Sequence, residues 1–227
     1  MSTPTHNPTG LRAVFRQAEV EIVEKKSRFI ASVLPIRTEA EGLAFLESLR
    51  KKHYNASHNC YAYQLGERHE LQRFSDDGEP GGTAGMPILN VLQAEDIHNA
   101  IVVVTRYFGG TMLGAGGLVR AYTRAAHDGL TAACIITKRR YARLIVEADY
   151  GLAGKIQYGT LQAGHIIHDT AYTDSVRFTV LVAAAEAEGY ATLVQDLTAA
   201  TATVTEDGFV YGAEVEGEVV LFGENGF

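Results

Sequence analysis

The chain is short of cysteine, of long apolar runs and of the usual nucleotide-loop and catalytic signatures, and each shortage removes a class of protein. Cys60 and Cys134 are the only cysteines among 227 residues, too few and too far apart for a disulfide framework, and nothing points to export. The longest run of Ile, Leu and Val is Ile101 to Val104, far short of the roughly 20 apolar residues of a membrane helix. The opening segment Met1 to Gly10 has neither the apolar core nor the basic lead of a signal or transit peptide. A flexible tail over residues 1–17 and a cytoplasmic location, with no membrane contact, are the expectations. No Gly-Lys-Ser/Thr follows a glycine-rich loop, which excludes a Walker loop, and the glycine spacing differs from a dinucleotide fingerprint. Ser75, Thr83 and Thr105 have no histidine at a triad spacing. His53, His58 and Cys60 lack a fourth ligand, so the sequence predicts no metal and no cofactor.

Glycine is present in quantity and is concentrated. Two segments, Ser75 to Gly85 and Arg106 to Tyr122, hold nine of the 23 glycines. Glycine collects where a chain must adopt positive φ or let another group approach the bare backbone, which marks these two loops as the working part of the molecule. Charge is also uneven. Residues 1–134 are balanced, whereas residues 135–227 carry the whole net charge of -7. Phosphate contacts must therefore use local basic patches in the first half, because the second half repels polyanions.

Hydrophobic periodicity places the elements. Val20 and Ile22 alternate with glutamates, and Arg28 to Pro35 is again extended, giving two strands joined by a tight turn. Thr38 with Glu41 forms a capping box ahead of a helix. His58 to Leu65 reads as a strand, Pro87 to Leu92 as a short helix beginning near Thr83 or Ala84, Asn99 to Tyr107 as a strand buried on both faces, and Gly116 to Ala133 as a helix. After the basic link Lys138 to Arg140 the order becomes strand (141–148), helix (151–161), hairpin (166–172 and 176–182), helix (184–199) and strand (202–209). That β-α-β-β-α-β order is ferredoxin-like. Residues 211–227 are left as an acidic, glycine-rich tail.

The strings Lys26-Ser-Arg-Phe-Ile30, His58-Asn-Cys-Tyr-Ala-Tyr63 and the two glycine segments, between about Val20 and Ala133, resemble the signature of the YigZ/IMPACT family. The layout is similar to its bacterial branch, whereas eukaryotic members carry an extra protein-interaction domain in front. The resemblance implies an α+β chain of two domains: a first domain over residues 18–137, a sandwich similar to the second domain of ribosomal protein S five, and a second over residues 138–210, similar to a domain of elongation factor G. Many members carry a polar residue where this chain has Met112. Eukaryotic relatives restrain a stress-activated translation-initiation kinase by competing for its activator protein, so the resemblance implies a regulatory protein.

The second glycine segment reads as an anion site. A buried strand leads into Gly109 and Gly110, and Gly114, Gly116 and Gly117 open a helix whose first N–H groups and dipole favour negative charge. A helical wheel puts Arg120 and Arg124 on the outer face. Arg73 and Arg106 flank the loops, with Tyr107 beside them, so a surface for phosphate and base contacts is expected if the four arginines converge. The alternative is that the glycines serve only a tight turn. Asp76, Asp77 and Glu79 form an acidic trio that suits Mg²⁺ or acid–base work, although turn chemistry or pairing with the arginines is the expected role. Three functions follow. The first is a translation-linked binding protein whose partner is the ribosome, RNA or a translation factor, with no catalytic residue. The second is a phosphoryl-transfer enzyme using the loop from Gly109 to Gly117. The third is a regulator acting by protein interaction alone.

Overall fold

The computed structural model describes residues 10–222, which fall into two compact units, residues 11–137 and the residues from 138 on. In the first unit the strands β1 (Leu11–Val14), β2 (Ala18–Glu24), β3 (Ser27–Pro35), β4 (His58–Leu65), β5 (Leu71–Ser75) and β6 (Ala100–Tyr107) accompany the helices α1 (Glu39–Lys52), α2 (Gly85–Ala94) and α3 (Ala115–Ala132). Five of these strands make an antiparallel sheet in the order β2-β3-β6-β4-β5. Helices α2 and α3 cover one face and α1 the other.

The central strand β6 opens on an unbroken apolar run, and its place in the sheet shows why. Side chains alternate across a strand, so Val102 and Val104 enter the core beneath α2 and α3 while Ile101 and Val103 enter the core beneath α1. Both cores are needed to bury this five-residue run, Ala100 to Val104, without a polar face. At the start of α1 the Glu41 backbone N–H donates to the Thr38 hydroxyl at 3.2 Å, and the Glu41 carboxylate accepts from Arg37 N–H at 2.6 Å. The capping box is thus made, with its return bond one residue earlier than the usual partner.

The second unit contains β7 (Ile135–Ala148, which begins at the end of the first unit), α4 (Tyr150–Gln162), β8 (Ile166–Tyr172), β9 (Val176–Ala183), a 3₁₀ turn at Ala184–Glu186, α5 (Ala187–Thr198), β10 (Thr203–Val215) and β11 (Glu218–Phe222). Its sheet runs β11-β10-β7-β9-β8. The four strands β10-β7-β9-β8 make the ferredoxin-like arrangement, with Val146, Phe178, Val180 and Val182 packed on Ile156, Tyr190 and Val194.

Three segments differ from the sequence reading. Residues 11–14, expected within a tail, form β1; residues 1–9 lie outside the described residues. Residues 71–75, expected in no strand or helix, form the edge strand β5. Of the expected acidic tail over 211–227, residues 211–215 continue β10 and residues 218–222 form β11; 223–227 lie outside the described residues. A register shift between Glu206 and Phe209, with Gly208 at φ 76°, breaks the two-residue alternation and conceals the continuity of β10. The turn at Glu216 and Gly217, both at positive φ, then returns the chain as a two-residue hairpin.

Candidate functional site

The first glycine segment wraps around the entrance of α2. That helix begins at Gly85 behind Ala84, which has no side-chain oxygen to cap it, so its first N–H groups need an acceptor from elsewhere. Asp76 supplies it. Its carboxylate accepts from the backbone N–H groups of Gly82 (2.8 Å), Ala84 (3.0 Å) and Gly85 (2.8 Å). Burial alone raises the Asp76 pKa, but the three N–H donors outweigh it and hold the group below the ordinary aspartate value. Asp77 accepts from Asn59 N–H at 2.6 Å. Gly85 is required by close approach, since a Cβ there falls 2.7 Å from the Ser75 carbonyl carbon and oxygen.

The third acid of the trio turns inward. Glu79 Oε1 accepts from Arg106 Nη1 at 2.6 Å and from the Tyr122 hydroxyl at 2.7 Å, and the Glu79 and Arg106 side chains are only 3% and 7% exposed. The Arg106 guanidinium also lies near the faces of Phe29 and Phe108, at 5.3 and 5.6 Å from their centroids. Ser27 accepts from Arg106 Nη2 at 3.4 Å and from Gly109 N–H at 3.1 Å, tying the β2–β3 turn to the second glycine segment. His58 Nδ1 bonds the Asp77 carbonyl at 2.8 Å, leaving Nε2 3.9 Å from Glu79. The Cys60 thiol has one proton to share between the Asp76 carbonyl (3.0 Å) and Tyr122 (3.4 Å). Burial pushes that thiol up to about 12, and burial followed by Cys60 and Glu79 raises the Tyr122 phenol. Neither is an available nucleophile at neutral pH. The cluster holds two loops and a helix together, and its charges are spent on one another.

The second glycine segment divides into a packed end and an open end. A Cβ on Gly109 falls 2.0 Å from the Lys26 carbonyl carbon, so only glycine lets this strand end pass the β2–β3 turn. Gly110 and Gly114 take positive φ, 82° and 72°, with open space beside them. Beside Gly116 the nearest group is the Arg120 guanidinium at 3.8 Å, whereas Gly117 packs on Leu113. The start of α3 has no side-chain cap. Phe108 and Met112 are exposed at the loop tip. Tyr107 bonds His53 Nδ1 through its hydroxyl at 2.9 Å and lies under Arg28.

The four arginines do not share one surface. Arg106 is buried in the ion pair just described. Arg73 stands exposed on the edge strand β5, donating to the carbonyl of Gln72. Arg120 and Arg124 instead line a groove of about 510 Å³ between α2 and α3, whose walls also include Pro87, Val91 and Ala94 on one side and Val119, Thr123 and His127 on the other. Arg124 approaches Asp128 at 3.6 Å; Arg120 has no ion-pair partner among the described residues. The groove was not legible from motifs. Its only trace in the sequence is Val119, an apolar residue of α3 that is 37% exposed.

Residues 25–130 match the family model of the Impact N-terminal domain, and residues 146–201 match that of a domain of unknown function, DUF1949. An IMPACT family member of Bacillus subtilis, YvyE, is 37% identical over 193 residues, covering 85% of this chain and 89% of that protein. An IMPACT family member of Thermus thermophilus is 40% identical over 157 residues, covering 69% of this chain and 84% of that protein. Among solved structures, one titled a crystal structure of an hypothetical protein is similar with a TM-score of 0.55 and 28% identity, over 92% of this chain and 99% of that one.

Proposed function

This chain belongs to the IMPACT family, and on that premise we propose that it is a cytoplasmic regulatory protein linked to translation, working by binding rather than by catalysis. The first unit, residues 11–137, is the binding unit, and the α2–α3 groove is its contact face. The observation that supports this reading is the division of labour among polar groups. The acids and the arginine beneath the glycine loops are committed to internal bonds, whereas Arg120 and Arg124 stand over an apolar floor and face outward. An apolar floor whose rim carries Arg120 and Arg124, with the Glu95 carboxylate there already paired to Arg12 at 2.8 Å, suits an amphipathic protein segment with acidic flanks. The partner is accordingly a ribosomal protein or a translation factor, and RNA is the weaker fit because Pro87, Val91, Ala94 and Val119 offer nothing to a phosphate.

Sucrose-gradient sedimentation with purified ribosomes tests the reading. The chain is expected to travel with ribosomal particles or with a bound factor after nuclease treatment, and the Arg120→Glu, Arg124→Glu double variant is expected to stay at the top of the gradient. Association that disappears on nuclease treatment replaces the protein partner with RNA. Wild-type protein that never leaves the top removes the ribosome as partner.

A further inference from the structure

His69, Asp96 and His98 bring their ligand atoms within 4.8 Å of one another, and none of them belongs to either glycine segment. His69 stands in the turn between β4 and β5; Asp96 and His98 stand in the connection from α2 to β6. His69 Nε2 lies 2.9 Å and His98 Nε2 3.5 Å from the same oxygen, Asp96 Oδ1. Three donors at the corners of a tetrahedral zinc ion stand about 3.3 Å apart, from metal–ligand distances near 2.0–2.1 Å, and these two separations bracket that value.

The hydrogen bonding around His98 identifies what the arrangement lacks. His98 Nδ1 is 3.1 Å from the Gly66 carbonyl oxygen. A carbonyl only accepts, so Nδ1 carries the hydrogen and a neutral His98 directs the lone pair of Nε2 at a carboxylate oxygen. Lone pair against lone pair is repulsive, and a cation between them reverses the sign. Fixing Nδ1–H by a backbone carbonyl is also how metal-binding histidines are oriented. The side chain of His98 is 5% exposed and that of Asp96 is 56% exposed, so the rigid ligand is buried and one coordination position opens to solvent. The loops are held ready. His69, Asp96 and Asn99 all take positive φ, and Asn99 accepts from Gly66 N–H at 2.9 Å, joining the two connections independently of the histidines.

We propose that His69, Asp96 and His98 form a binding site for a divalent transition-metal ion of the zinc class, clamping the β4–β5 turn to the α2–β6 connection. Two imidazoles and one carboxylate favour zinc, nickel, cobalt or copper over magnesium or calcium, which prefer oxygen ligands. Binding turns the more exposed His69 ring out of its present stack on His98, whose centroids are 4.1 Å apart and whose planes differ by 17°, while His98 stays held by the Gly66 carbonyl. The sequence reading missed the site because its ligands come from two connections 27 residues apart in the His69–Asp96 pair and match no ligand spacing motif.

The test uses the full-length, tag-free chain stripped with a chelator. Equilibrium dialysis against zinc is expected to give one equivalent per chain, with a higher melting temperature in zinc than without it. His69→Ala and Asp96→Asn, both in loops, are expected to keep the metal-free melting temperature close to that of wild type, to lose the bound equivalent and to lose the zinc-dependent rise. Cobalt substitution gives the visible bands of nitrogen and oxygen coordination in wild type only. No uptake by the wild-type chain overturns the proposal. Uptake that both variants retain also overturns it, because the ion then sits elsewhere.

Discussion

The cluster beneath the glycine loops and the α2–α3 groove are built from similar residues and do opposite things. In the cluster Arg106 meets Glu79 at 2.6 Å with both side chains nearly sealed from water. In the groove Arg120 and Arg124 stand in solvent above Val91 and Val119. A buried charge must be paired because the loss of hydration is expensive, whereas an exposed one keeps its water until a partner displaces it. The difference separates residues that fix the shape of the loops from residues that are available to a partner, and sequence motifs, which are densest over the cluster, do not make that separation.

Variants that attack each side should show it. Arg106→Ala leaves Glu79 buried without its cation, and the expected loss is about 3–5 kcal/mol of stability, the usual consequence of removing one half of a buried pair; urea denaturation measures it. Gly109→Ala forces a Cβ against the Lys26 backbone, 2.0 Å from its carbonyl carbon. Backbone cannot yield as a flexible side chain can, so the expected loss is about 3 kcal/mol, at the upper end for overpacking. Asp76→Ala removes the acceptor for three N–H groups at the start of α2, and about 1–2 kcal/mol should be lost, as for other helix caps.

Asp76 also predicts a pH dependence. Its folded pKa is depressed, so the folded state binds fewer protons than the unfolded state over the intervening range. The stability it contributes is fully present above the unfolded aspartate value of about 4 and is lost as pH falls through the lower folded value. Wild type should therefore lose more stability than Asp76→Ala between pH 5 and pH 2, on the order of the same 1–2 kcal/mol, and parallel acid titrations of the two proteins would contradict the capping role.

The smallest effect on stability is expected in the groove. Arg120→Glu with Arg124→Glu should change the unfolding free energy by less than about 0.5 kcal/mol, as for surface substitutions generally, while abolishing association with the partner. A large loss of stability would place these arginines with Arg106 and dissolve the contrast between the regions.

The first unit was largely legible because its elements carry simple patterns. His58–Leu65 coincides with β4, and the unbroken run in β6 announced burial on two faces. Strand β5 was missed because Leu71–Ser75 is only partly buried at a sheet edge, where the alternation that marks a strand is weak. The outward helical face of Arg120 and Arg124 followed from the 3.6-residue period, but the inward turn of Arg106 did not. It depends on Glu79, 27 residues away in sequence, and on Tyr122 and the two phenylalanines around it, contacts that only the tertiary fold supplies.

One measurement addresses the contrast most directly. A photo-crosslinking amino acid placed at Val119, on the groove, should capture a ribosomal protein or translation factor identifiable by mass spectrometry, and the same group at Tyr54, an exposed residue at 85% accessibility after α1, should not. Capture lost on adding the Arg120→Glu, Arg124→Glu pair while the fold stays intact is the expected result. Equal capture from Val119 and Tyr54, or capture from Val119 that persists after both charges are reversed, would contradict the assignment of the α2–α3 groove as the binding face.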